Sequence, residues 1–136
     1  MTGDCMTEAA RKPEDILSEW MRCVRERDLE GVLGLYAEEA VLLPTFSTRI
    51  LLGPDGMRDY FARLCQRDGL ELVLRARTLA VQPAGPGLHL LSGIYRWSML
   101  VDGEPLSFEA RFTLLVAPAL PRPILHHHSS QVPRGL

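Results

Sequence analysis

With 136 residues and a hydrophobic share of 46%, the chain has material for one domain with a substantial core, which at this size buries roughly two thirds of the unfolded surface. A net charge of −2 gives no basic footprint for nucleic acid or an anionic membrane. Cys5, Cys23 and Cys65 are odd in number and lack paired spacing, which argues against a disulfide framework and for a reduced, cytoplasmic setting; no apolar leader and no bilayer-length apolar run is present.

Residues 1–12 read as a flexible polar tail and 13–133 as one domain. Pro13, followed by Glu14 and Asp15, opens a helix in which Ile16, Trp20, Cys23 and Val24 recur at helical spacing. That helix is expected to end near Asp28, which caps a second short helix running through Leu33 and Tyr36. Ala40–Phe46 reads as a buried strand, with Ser47 and Thr48 in the loop beyond it. Gly53-Pro54-Asp55-Gly56 is turn chemistry leading into a third helix, which places Met57, Tyr60, Phe61, Leu64 and Cys65 on one face before Gly69.

The rest reads as strands: Leu70–Val81, Leu88–Val101 and Leu106–Val116, with a hairpin signal at Asp102-Gly103. In the last of these, Phe108, Ala110, Phe112 and Leu114 share one face, and Glu109, Arg111 and Thr113 the other. Periodicity alone slightly favours a surface position for Arg111. Helices grouped early and long antiparallel strands grouped late predict an α+β fold with helices covering one face of a curved sheet.

After Pro118, Pro121 and Pro123 comes Ile124-Leu125-His126-His127-His128-Ser129-Ser130-Gln131. Its short histidine run and apolar lead-in read as a native strand rather than a purification tag. Strand alternation turns His126, His128 and Ser130 one way and Leu125, His127 and Ser129 the other. One face is therefore expected to line a polar pocket. Only His126 and His128 can chelate a metal together, short of the three protein ligands that catalytic zinc generally takes.

The element order, with Ala40–Ser47, Asp59-Tyr60-Phe61, Ser92-Gly93-Ile94-Tyr95, Ala110-Arg111-Phe112-Thr113 and His126–Ser130 with Pro133, resembles the nuclear-transport-factor-like cone fold. Within that fold the chain is similar to the calcium/calmodulin-dependent kinase association domains, and most similar to the iota-class carbonic anhydrases. The resemblance implies reversible hydration of carbon dioxide, in at least some members without a metal. It maps the hydroxyls of a substrate site onto Thr45, Tyr60 and Ser129 or Ser130, with Ser129 preferred. It also turns Arg111 into the cavity, where Arg96 and His128 are further expected substrate contacts. The chain departs from the pattern in Ala117–Pro123, which lacks a glycine-tryptophan turn, and in the basic Arg96.

The resulting expectation is that Thr45, Tyr60 and Ser129 position carbon dioxide and water, His127 accepts the proton, and Arg111 with Ser130 favours bicarbonate. No cofactor is expected; the alternative is zinc or manganese on His126 and His128. A homodimer is expected in either case. Two other readings remain open. One is a non-catalytic oligomerisation domain that binds small carboxylates. The other is an isomerase or cyclase, for which Glu71 and Glu109 are the only strand carboxylates.

Overall fold

The computed structural model describes residues 11–135. The tail expected over 1–12 therefore lies outside the described residues for its first ten positions. Arg11 is docked, its guanidinium donating to the carbonyls of Pro118 (2.9 Å) and Leu120 (2.7 Å).

Helix α1 spans Pro13–Arg25, with proline in its first turn and the Asp15 carboxylate accepting from the Lys12 amide at 2.8 Å. Its apolar stripe, which includes Ile16, Trp20, Cys23 and Val24, is wholly buried. Helix α2, Leu29–Leu33, is held by the Asp28 carboxylate accepting from the Gly31 amide at 2.9 Å. It is shorter than predicted: Gly31 and Gly34 are poor helix formers, and Leu35 gives its carbonyl to the Ile124 amide at 2.9 Å. Tyr36 thus opens a strand instead of closing a helix.

That strand, β1, covers Tyr36–Leu43, and Pro44 lies just beyond it. A two-residue strand β2, Leu51–Leu52, leads into helix α3, Gly53–Cys65. Four longer-range partners follow: β3, Glu71–Leu74; β4, Ala80–Gly85; β5, Leu88–Val101; and β6, Glu104–Val116. The histidine strand β7, Ile124–Gln131, completes a sheet ordered β2-β1-β7-β6-β5-β3, with β4 also on β5. β5 and β6 are joined through Asp102 and Gly103 at φ of 52° and 79°, the left-handed pair of a tight hairpin turn.

Two further features differ from the expectation of an antiparallel sheet of unbroken strands. β1 and β7 run parallel, pairing Leu42 with His127 and Leu43 with His128; long-range order of this kind leaves no local trace. The strand expected over Leu70–Val81 is broken by a 3₁₀ turn at Ala76–Thr78. At the break the Thr78 hydroxyl donates to the Arg75 carbonyl (2.7 Å) and accepts from the Ile94 amide (2.8 Å), standing in for the missing ladder bonds. Gly93, next to Ile94, gives Thr78 and the Phe112 ring room to approach.

The concave face of the sheet closes over α1 and α3 around Trp20, Phe61, Leu72, Tyr95, Trp97 and Leu114. Cys23 is buried and Cys65 half-buried, and among the described residues neither is paired. Among the described residues no helix is long and apolar enough to cross a membrane.

Candidate active site

β7 lies between β1 and β6, so its inward residues are covered on both sides. Those residues are His127 and Ser129, 1% and 3% exposed and, aromatic residues and cysteine aside, the only buried polar side chains among the described residues. Burial of polar groups on this scale requires partners, and tyrosines supply them. Tyr36, at the start of β1, places its hydroxyl 2.8 Å from His127 Nδ1. Tyr95, on β5, places its hydroxyl 3.2 Å from His127 Nε2 and donates to Ser129 Oγ at 2.8 Å. Ser129 Oγ lies 2.5 Å from Thr45 Oγ1, in the loop after β1. At the other end, the Trp20 indole N–H donates to the Tyr36 hydroxyl at 3.0 Å. One hydrogen-bonded line therefore runs from α1 through β1, β7 and β5 to the β1–β2 loop.

Burial pushes the His127 imidazole pKa down to about 3, with His126 and His128 alongside adding to the shift, so the ring is neutral at physiological pH. Burial also raises the Tyr36, Tyr95 and Tyr60 hydroxyls well above the ordinary tyrosine value. All three stay protonated.

The line ends at a hole of about 10 Å³, lined by Thr45, Tyr60, Tyr95, Trp97, His127 and Ser129 among others. That is room for one water-sized group. Thr45, Tyr60 and Leu64 also line a pocket of about 710 Å³, whose walls include Phe46, Met99 and Phe108. Arg49, Arg63 and Arg67 also line this pocket, against a single carboxylate, Asp59, which lies 3.4 Å from Arg63. The arrangement is a wide, cation-lined pocket leading to a narrow hydroxyl-lined floor.

No protein-family model and no curated protein matches the sequence. Solved structures do. A protein from Xanthomonas campestris assigned as a calcium/calmodulin-dependent protein kinase II association domain superposes with a TM-score of 0.77 at 22% identity, over 88% of this chain and 84% of that one. A ketosteroid isomerase-like protein from Erwinia carotovora atroseptica gives 0.73 at 10% identity, over 89% and 94%. The epoxide hydrolase/cyclase-like enzyme SalBIII, of pyran ring formation in salinomycin, gives 0.70 at 14%, over 88% and 89%.

The chain has the nuclear-transport-factor-like cone fold.

At these identities the likeness establishes the cone and leaves the chemistry to its interior. Of the residues expected from sequence, the cone brings Thr45, Tyr60, His127 and Ser129 together at the floor. It sends the others outward. Arg111 pairs with Ser130 and Ile94, and His128 with Thr113, on the convex face, where Arg111, Ser130 and His128 are exposed. Arg96 is exposed opposite Glu109. The expectation that Arg111 shares the cavity with Ser129 is thus corrected by register: Arg111 faces Ser130, and neighbouring strand residues point to opposite faces.

His127 also differs from its expected part. Its ring nitrogens are taken up by Tyr36 and Tyr95, and Tyr95 and Ser129 separate it from Thr45, so it cannot take a proton directly from a group in the pocket. His126 and His128 share the outer face by alternation, and among the described residues no three His, Cys, Asp or Glu side chains converge as a metal-binding group. Glu109 is ion-paired to Arg75 at 2.7 Å and Glu71 is exposed; neither lines the pocket or its floor.

Tyr36, Tyr95 and Trp97 are the residues that sequence reasoning missed. Tyr95, Trp97 and Met99 alternate on β5, a pattern that flags an inward face. Tyr36 carried no such signal, because it was assigned to a helix.

Proposed function

We propose that the protein catalyses reversible hydration of carbon dioxide to bicarbonate at the hydroxyl-lined floor. The observation that carries this reading is the meeting of Thr45, Tyr60, Tyr95 and Ser129 at one water-sized hole walled by Leu42, Phe61 and Trp97. Carbon dioxide is small, apolar and without ionisable groups, so a dry wall beside fixed hydroxyls suits it, with one oxygen in the hole and the carbon and attacking water at its mouth in the wider pocket. The water oxygen bonds to carbon as one C=O electron pair moves onto oxygen, and the released proton passes to bulk solvent by way of the pocket. Thr45 and Tyr60 line both the floor and the pocket, which makes them the groups that hold the water and stabilise the developing anion. Arg49, Arg63 and Arg67 give the pocket a positive bias that attracts bicarbonate. His127 acts through its tyrosines as a positioning residue.

The floor carries no Asp or Glu, so a carboxylate-based isomerase or cyclase would have to use Asp59 in the outer pocket, which lies 3.4 Å from Arg63. The volume of the pocket, about 710 Å³, favours a second reading in which a larger organic carboxylate is bound without turnover.

Stopped-flow measurement of carbon dioxide hydration, with and without chelator, tests the proposal. Chelator-insensitive hydration above the buffer rate is the expected result. A rate equal to buffer under both conditions overturns it and leaves the carboxylate-binding reading.

A further inference from the structure

Trp97 is 2% exposed, and its indole N–H has no hydrogen-bond partner among the described residues. An indole N–H can only donate, and leaving such a group buried and unpaired carries the full desolvation penalty of the donor. The contrast with Trp20 is direct, since that indole is satisfied by Tyr36 at 3.0 Å. Trp97 lines the water-sized hole beside Thr45, Tyr60 and Ser129.

The hydrogen-bonded line also has a direction, and the direction can be worked out from its inner end. Trp20 donates to Tyr36, so the Tyr36 oxygen is an acceptor there. Among the described residues the proton of Tyr36 has one acceptor within reach, His127 Nδ1. A neutral imidazole whose Nδ1 accepts carries its proton on Nε2, and Nε2 faces Tyr95. Tyr95 then donates to Ser129. Either hydroxyl can donate across the Ser129–Thr45 contact; with Ser129 as the donor, continuing the direction of the line, the proton of Thr45 is free to turn toward a ligand. Thr45 and Trp97 both line the hole, so that donor and the orphaned indole belong to residues around the same space.

We propose that Trp97 Nε1–H and Thr45 Oγ1–H form a built site for one oxygen of a small carboxylate-like anion, with Tyr36, His127, Tyr95 and Ser129 fixing the polarity of the donor at Thr45. The hole accepts a single oxygen, and the remainder of the anion lies in the wider pocket. The choice of bicarbonate as the natural anion rests on the hydration reading; the binding of a carboxylate oxygen does not.

The chain has two tryptophans, so its ¹H–¹⁵N spectrum holds two indole signals, separable with Trp97→Phe. Titration with bicarbonate and with unreactive formate, against chloride at equal ionic strength, should move the Trp97 indole signal and leave that of Trp20 in place. Thr45→Val should weaken formate binding about tenfold or more, the scale of one hydrogen bond to a charged group. A long-range ¹⁵N spectrum of the imidazoles should show His127 protonated at Nε2. A Trp97 signal that stays still while the Arg49, Arg63 or Arg67 side-chain signals move would place the anion in the outer pocket and overturn the proposal. A His127 protonated at Nδ1 would overturn the assigned polarity. Formate binding at Trp97 without hydration activity would retain this site and remove the hydration reading; hydration with an unmoved indole would do the reverse.

Discussion

Ser129 on the last strand and Thr45 in the loop after the first meet through their hydroxyls at 2.5 Å, across 84 positions of sequence. This contact joins the buried histidine line to the pocket, because Ser129 also accepts from Tyr95 and Thr45 borders both the hole and the outer cavity. Replacing either hydroxyl breaks the line at its working end. Ser129→Ala and Thr45→Val should each lower hydration about a hundredfold, the usual scale for one lost stabilising donor, with Ser129→Ala also costing about 1–3 kcal/mol of stability by stranding the Tyr95 proton. Stopped-flow rates and urea unfolding separate the two effects. Undiminished rates in both variants would remove the hydroxyl pair from the mechanism.

Tyr60 differs from these residues because it comes from α3 rather than from the sheet, and its hydroxyl is held protonated by burial, tempered by a hydrogen bond with the Phe46 backbone. Tyr60→Phe preserves the ring packing against Phe61 and should reduce kcat at least tenfold with little change in unfolding midpoint. Equal kcat in the variant would leave Tyr60 a wall residue only.

His127 makes stability depend on pH in a definite direction. Its folded pKa of about 3 lies below the unfolded value near 6.5, so the unfolded chain takes up the proton first. The contribution is complete above about pH 6.5 and is lost as pH falls from there toward 3. It amounts to a few kcal/mol across the window, at about 1.4 kcal/mol per pKa unit. Urea midpoints between pH 4 and 7 should therefore fall more steeply in the wild type than in His127→Gln. Parallel curves would mean that the imidazole is not held neutral. The same burial predicts no rate-controlling ionisation of His127 between pH 5 and 8.

The outward positions of Arg96 and Arg111 carry their own test. Arg96→Gln and Arg111→Gln should each leave hydration within about twofold of the wild type, since exposed charges on the convex face act on the pocket only through screened fields. A tenfold loss in Arg111→Gln would show that the residue reaches the substrate by a route its strand position does not provide.

Gly93 tests the packing behind the site. An added Cβ would stand 3.1 Å from Phe112 Cζ and 3.2 Å from Thr78 Oγ1, and Phe112 is stacked on Tyr95 with ring centroids 4.7 Å apart. Gly93→Ala should cost about 1–3 kcal/mol by overpacking and push the Tyr95 ring toward its neighbours. A thermal midpoint within one degree of the wild type would show that the Phe112 ring gives way freely.

Local chemistry made much of this protein legible in its sequence. Helical periodicity marked the buried stripe of α1, Asp102-Gly103 marked the hairpin, and strict alternation along β7 separated His127 and Ser129 from His126, His128 and Ser130. Each of these depends only on the geometry of one element, which neighbouring residues dictate. The family resemblance led correctly to the cone and wrongly to an inward Arg111. That error was a matter of register: Arg111 lies across from Ser130, and pairing between β6 and β7 is decided by contacts distant in sequence. The parallel placement of β1 beside β7, the 3₁₀ break at Ala76–Thr78 and the role of Tyr36 were likewise invisible in the sequence. Tyr36 becomes a partner of His127 only when residues 91 positions apart are brought within 2.8 Å. The sequence by itself determined which side chains could share a face. Tertiary structure alone decided which faces met, because burying His127 and Ser129 required partners from α1, β1, β5 and the β1–β2 loop together.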